Sequence, residues 1–185
     1  SMSTRFITLS DKTRIILDRI SFKWPLFDIT KMERMIVKCL ESRIEFLNTA
    51  PLFFDISREL LREVASMSKL EYYTDNSVLF WEGEKNRKIY IIFDGYLEFF
   101  KASRYGWVGT FAVRGHGHIA GEACILEPDT PYLFSVEACM GDVTVLSIDA
   151  DYINSLVEKN YRFTRNIMKH WKNEIEKLVK IVINL

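Results

Sequence analysis

The sequence predicts an α+β domain: an antiparallel, jelly-roll-like β-roll flanked by N-terminal helices and two C-terminal helices. Three observations carry this. Residues 69–148 hold a succession of short runs rich in β-branched and aromatic side chains, most recurring at intervals of about ten residues with turn chemistry between them. The segments on either side space their apolar residues at threes and fours, the period of a helix with one inward face. Aromatic side chains make up 14% of the chain, which suggests a sheet-rich core.

The helical texture covers residues 10–68. "DKTRIILDRI" puts Ile15, Ile16 and Ile20 near one face, and "ITKMERMIVKCLESRIEFL" spaces Met32, Met35, Ile36, Leu40, Ile44 and Leu47 along another. Pro25 separates the two helices, because a proline disfavours helix at the residue before it. "DISRELLREVASM" is a third, with Asp55 or Ser57 as N-cap and Leu60, Leu61 and Val64 inward. The strands are expected in "KLEYYT", "SVLFWE", "KIYIIFD", "YLEFFKA", "WVGTFAV", "LFSVEA" and "VTVLSID". Asp94-Gly95, between "IYIIF" and "YLEFF", is the strongest two-residue hairpin signal in the chain. Roughly seven or eight such strands make a roll or barrel.

From residue 149 the pattern is helical again. "DADYINSLVEK" is one helix, capped by Asp149 or Asp151. In the longer one that follows, Met168, Trp171, Ile175, Leu178, Val182 and Leu185 form an a/d seam. Under three heptads it is too short for a coiled coil. The stripe is expected to dock on its own domain or on the rest of a larger protein, with a homodimer as the alternative. The expected division is a helical linker over 1–45, the roll domain over 46–160 and a C-terminal lid or coupling helix over 161–185.

Composition narrows the function classes. The 25 basic and 25 acidic side chains cancel, so global charge points to neither nucleic acid nor a membrane surface as partner. Cys39, Cys124 and Cys139 are an odd count with no close pairing, which favours a reducing compartment, so a cytoplasmic location is expected. That expectation includes the cytosolic part of a membrane protein. The first residues carry Arg5, Asp11, Lys12 and Arg14 in place of an apolar stretch, so no signal peptide is expected. No Ser-His-Asp order, paired-carboxylate motif or P-loop stands out, so the chain is not expected to be an enzyme. His116 and His118 lie near Cys124, but a third and fourth ligand are not evident, and neither metal nor cofactor is expected.

Three segments carry a family resemblance. "FLNTAPLFFDISRELLREVA" (46–65) and "SVLFWEGEKNRKIYIIFDGYLEFF" (77–100), with its glycines at Gly83 and Gly95, lead to "GHGHIAGEACIL" (115–126). Together they resemble the cyclic nucleotide-binding domain, and residues 10–45 are similar to the helical linker of its channel-type members. The last segment resembles the start of that family's phosphate-binding cassette, with Ala120 where a phenylalanine is expected. The resemblance implies a regulatory domain of a larger signalling or ion-transport protein, with cAMP or cGMP as ligand. It implies a ribose contact at Glu122, whose alternative reading is a helix-capping carboxylate kept for the fold, backbone contacts at Gly121, Ala123 and Cys124, further contacts from Leu133 and Ser135, and a lid helix placing Trp171 or Ile175 over the base.

The cassette then departs from the family. An arginine is expected nine residues after the glutamate, where this chain has Pro131; aligning "TPYLFSV" on the family pattern puts Tyr132 there instead. From Gly115 through Glu158 there is no Lys or Arg, so a cyclic phosphate would depend on Lys101, Arg104 or Arg114. Losing a charge-assisted contact costs roughly 1.5–3 kcal/mol, about one to two decades of affinity. Weakened or non-standard cyclic-nucleotide binding is therefore expected. The alternative is a pseudo-site, plugged by Tyr132, Leu133 and Phe134, in a domain that acts as a protein-interaction module.

Overall fold

The computed structural model describes residues 29–85, 87–102, 108–127 and 129–183. The helix expected around residues 11–20, Arg104, Trp107 and Leu185 lie outside the described residues. The chain divides into two compact units, Ser1–Arg43 and Ile44–Leu185. The second holds the sheet and every helix described below except the first part of helix α1, Ile29–Thr49.

Helix α1 (Ile29–Thr49) is followed by a 3-10 turn at Pro51–Phe53, where Leu52 and Phe53 are buried. Helix α2 (Arg58–Met67) starts at Ser57, whose hydroxyl accepts from the Leu60 amide at 3.4 Å; Asp55 instead sits at a positive φ. Leu61, Val64 and Ala65 form the buried face, and Leu60 lies at its half-exposed edge.

The sheet contains β1 (Lys69–Tyr73), β2 (Val78–Phe80), β3 (Lys88–Ala102), β4 (Val108–Arg114), β5 (Ile119–Ala120) and β6 (Ser135–Asp149). Its path is β1-β6-β3-β4, with β2 also on β6 and β5 also on β3, all antiparallel. The expected α+β roll is therefore present, but with fewer and longer strands than the sequence reading gave.

Asp94-Gly95 is not a hairpin turn. It lies inside β3, where the ladder to β6 shifts register on both sides of Asp94. "LFSVEA" and "VTVLSID" likewise merge into β6, which bends at Met140 and Gly141, both at positive φ. The physical reason is that a glycine at positive φ serves a kink or bulge as well as a two-residue turn. Here the opposing strand decides. A Cβ on Gly95 would stand 2.6 Å from the Asp142 carbonyl oxygen, so β6 crosses too closely for any other residue. Each long strand thus turns a corner of the roll. The first half of β3 pairs with the second half of β6, and the reverse holds beyond the bend.

Inside the roll, Phe80, Tyr90, Ile92, Leu97, Phe99, Tyr132, Val136, Val143 and Val145 form one buried cluster. Alternate residues of the same strands, Ile89, Ile91, Leu146 and Ile148, are also buried, so these strand segments are covered on both faces. Helix α3 (Ala150–Lys159), capped by Asp149 on the Asp151 amide, contacts β6 and helix α4 (Tyr161–Ile183). Helix α4 is anchored on the 3-10 turn: Phe163 packs on Phe53 with ring centroids 5.3 Å apart, and Asn166 donates to the Leu52 and Phe54 carbonyls. The docked face is Phe163 and Ile167 with Trp171 half-buried. Met168 (63% exposed) and Ile175 (59%) face solvent, so the expected seam is not the packed one within this unit. Phe163 and Ile167 satisfy the helical period on a neighbouring stripe that was not singled out. The side chains of Leu178 and Val182 are outside the described residues.

Candidate ligand-binding cavity

The cassette segment leaves β5 through Gly121, which takes the left-handed conformation (φ 84°). A Cβ there would lie 2.7 Å from the Lys88 carbonyl oxygen and 3.3 Å from the Tyr132 hydroxyl. Glycine is required both by the φ and by the space. A single 3-10 turn, Glu122–Cys124, follows. Asn154 of α3 holds its exit, accepting from the Leu126 amide at 2.8 Å and donating to the Cys124 carbonyl at 3.4 Å. Arg87 holds the far end of the loop, 2.7 Å from Asp151 and 3.6 Å from Asp129. Neither clasp was read from the sequence.

The loop and α4 enclose a cavity of about 390 Å³. Six of the nine candidate residues line it: Gly121, Glu122, Ala123, Tyr132, Leu133 and Trp171. Ile125, Leu126, Glu127 and Phe134 complete the lining. The other three candidates lie outside it. Cys124 is fully buried, with its thiol donating to the Gly121 carbonyl at 3.1 Å, and burial pushes that thiol up to about 11. Ser135 is buried and its hydroxyl accepts from the Glu82 amide at 2.9 Å. Arg114, at the end of β4, donates to Glu174 of α4 at 2.9 Å. Ile175 is also absent from the lining.

Tyr132, at the position where the sequence resemblance expects arginine, points inward. It is 2% exposed and stacks on Phe80 with centroids 3.7 Å apart, and its hydroxyl donates to the Lys88 carbonyl at 3.1 Å. Its backbone pairs with residues 83 and 84, through Gly83 N–H to the Tyr132 carbonyl and Tyr132 N–H to the Glu84 carbonyl. Phe134 closes the same side, edge-on to Phe111 and tilted against Phe99. Leu133 projects outward between them, 66% exposed.

Glu122 is the unusual group. One carboxylate oxygen, Oε2, is shut off from solvent and has no hydrogen-bond partner among the described residues. Burial pushes its carboxyl above the ordinary range, a bond to its own backbone works the other way, and the charge of Glu174 raises it further against that of Arg114. Glu174 differs. Burial alone would raise it, but Lys177 at 2.5 Å and the nearby Arg114 hold it below the usual carboxylate range. Among the described residues, three cations of the neighbouring strands are already engaged by acids. Arg114 is on Glu174, Lys101 is on Glu82 (2.9 Å) and the Leu133 carbonyl (3.2 Å), and Lys88 is on Glu71 (2.8 Å). No lysine or arginine is among the residues that line the cavity.

Among the described residues no group of three or more His, Cys, Asp and Glu side chains could hold a metal. His116 and His118 are exposed, each with Nδ1 on a backbone carbonyl, those of Phe93 and Gly115. No helix among the described residues is long and apolar enough to cross a membrane.

Known structures share this architecture. The catabolite activator protein of Thermus thermophilus superposes with a TM-score of 0.64 at 19% identity, over 72% of this chain and 62% of that one. The sensor domain of the transcriptional regulator DNR from Pseudomonas aeruginosa gives 0.66 at 14% identity, over 76% of this chain and 93% of that one. The regulatory domain of Toxoplasma gondii PKA, crystallised with cAMP, gives 0.56 at 22% identity, over 63% and 43%. The chain thus spans less than two thirds of the Thermus protein. No curated protein matches the sequence. The model of the family described as "Cyclic nucleotide-binding domain" matches residues 70–160, from β1 to the end of α3. Those residues hold the bent roll, the Gly121–Glu122 turn and the loop through Tyr132, and by them the chain belongs to the cyclic nucleotide-binding domain family.

Proposed function

We propose that this chain is the regulatory, ligand-sensing part of a larger signalling or ion-transport protein, and that it holds cAMP or cGMP only weakly. The observation that supports the weakening is Tyr132. The side chain at the expected arginine position is stacked in the core and cannot offer a charge to a phosphate. The carboxylates Glu122 and Glu127 line the same cavity with no cation beside them in the lining. Without a charge-assisted contact, a cyclic phosphate loses roughly 1.5–3 kcal/mol.

The same geometry supports a route from cavity to effector. Arg114 is the candidate cation nearest in effect to Glu122, and it is bound to Glu174 on α4. A phosphate that recruited Arg114 would have to draw it away from Glu174. That exchange would loosen the middle of α4, which also carries Trp171 on the cavity wall. Three free thiols, Cys39, Cys124 and Cys139, suit a reducing, cytoplasmic setting.

A second reading, a domain that has lost nucleotide binding and serves as an interaction module, has one observation in its favour. Met168, Ile175, Val179 and Ile183 leave an apolar face of α4 exposed, fit for a partner helix or a second copy.

Substitution at Leu133 separates the two. Tyr132→Arg would bury a guanidinium against Phe80, whereas Leu133 is exposed and lines the cavity. Leu133→Arg is expected to raise cAMP affinity about tenfold by calorimetry, the worth of one modest charge-assisted contact. No heat from wild type or variant at millimolar cAMP or cGMP would favour the interaction module instead.

A further inference from the structure

We propose that His170 is a proton-sensitive latch on helix α4: a fall in pH through the mildly acidic range releases the part of the helix beyond Ile167, and with it the Trp171 wall of the ligand cavity. The device needs no nucleotide and does not depend on how tightly one is held.

Helix α4 is fastened unevenly. Its first turns are anchored by the buried side chains Phe163 and Ile167 and by Asn166 on the Leu52 and Phe54 carbonyls. Beyond Ile167 none of the described side chains of the helix is fully buried. His170, Trp171 and Glu174 are half-buried there, and Glu174 reaches the roll through Arg114 at 2.9 Å. A segment held by so few groups responds to a change in any one of them.

His170 is the group that can change. Its Nε2 is shut off from solvent and has no hydrogen-bond partner among the described residues. A neutral imidazole leaves one orphaned nitrogen there, whereas an imidazolium carries N–H donors on both nitrogens. Protonation would therefore set a charged donor against no acceptor, a far costlier arrangement. The acid one turn along, Glu174, is already taken by Arg114 and by Lys177 at 2.5 Å. Glu176 is held by Lys172 at 2.7 Å. Lys180 on the same helix and His118 before β5 add no acid to the surroundings, and the 3-10 turn contributes only Pro51 and Leu52. Beside the ring lies a second cavity of about 330 Å³, walled by that turn, by Gly117–Ile119 and by α4. A protonated ring reaches water by swinging into this space, and the helix that carries it has to shift.

The sign follows from the surroundings. Burial pushes His170 below the ordinary histidine range; Glu174 works the other way, and Lys177, His118 and Arg114 add to the lowering. Such a histidine leaves stability intact above its ordinary value of about 6.5 and removes it as pH falls below that, until the folded value is passed. Glu174, held below the usual carboxylate range, stays charged across that window.

NMR on the full chain tests this. The chain has three histidines, so their ring signals can be assigned with His116→Gln, His118→Gln and His170→Gln. The His170 ring is expected to titrate below about 6.5. Hydrogen exchange of the α4 amides beyond Ile167, corrected for intrinsic rates, should lose protection by at least about threefold between about pH 7.5 and about pH 5.5. The amides around Phe163 should change less. His170→Gln should remove this response, and His118→Gln should keep it. Titration of His170 at or above its ordinary value, or protection unchanged with pH in the native chain, overturns the proposal. So does a response that survives His170→Gln or disappears in His118→Gln. Should His170→Gln not fold, the titration of the native ring still decides.

Discussion

Two glutamates on the roll, Glu71 and Glu122, bring the same carboxyl group into opposite surroundings. Glu71, on β1, receives Lys88 at 2.8 Å, Ser147 at 2.6 Å and Tyr73 at 2.8 Å. Burial alone would raise its carboxyl, but these donors hold it below the ordinary range. Glu122 receives no donor on Oε2 among the described residues, and burial pushes it up. Both sit near the Lys88 segment of β3: Glu71 takes its ammonium, and the Glu122 turn leans on its carbonyl through Gly121, Cys124 and Tyr132. The first site is complete in itself and reads as structure. The second is satisfied except at one oxygen, Glu122 Oε2.

Breaking the satisfied site should cost most. Glu71→Ala leaves Lys88, Ser147 and Tyr73 without their shared acceptor, and a loss of about 2 kcal/mol is expected by urea denaturation. Next comes Tyr132→Phe. It keeps the stack on Phe80 but removes the donor to the Lys88 carbonyl, for an expected loss of about 1 kcal/mol. A loss near zero would mean that the hydroxyl is not needed to hold the loop.

The smallest effect is the most informative, because its sign differs between the two sites. Glu122 has a folded-state pKa above its unfolded value. Its favourable contribution is therefore full below the ordinary glutamate pKa and is lost as pH rises through the raised one. Glu71 has a lowered pKa, so its contribution is present above the unfolded value and is lost as pH falls through the folded one. Melting curves from pH 4 to 8 should show Glu122→Gln gaining on the native protein as pH rises, by under about 1 kcal/mol. Glu71→Gln should fall further behind over the same range. Parallel slopes would show that the two carboxyls are not in different surroundings after all.

Much of this was legible in the sequence, for local reasons. Short β-branched and aromatic runs, recurring about every ten residues, and helical stripes identified the α+β roll, and Gly121-Glu122 carried the resemblance to the cassette. The caps at Ser57 and Asp149 were each one of two candidates. What was not legible depends on partners far along the chain. Gly95 looked like a turn because its need for positive φ is local, whereas the close passage of Asp142 that makes it a kink is not. The stripe through Met168 and Ile175 fits a helical period as well as Phe163 and Ile167 do, and only Phe53 and the turn around it decide which side is buried. At the site, the absence of arginine was visible directly. The commitment of Arg114 to Glu174, and the Asn154 clasp on the loop, join elements with no sequence signal linking them.

The central claim is that the roll keeps a nucleotide site while lacking its main contact to phosphate. Calorimetric titration of the native chain with cAMP and with cGMP tests it most directly. The account predicts weak binding, with a dissociation constant roughly one to two decades above that of a site holding one charge-assisted phosphate contact. Saturation of either nucleotide at low micromolar concentration, with Tyr132 unaltered, would contradict it.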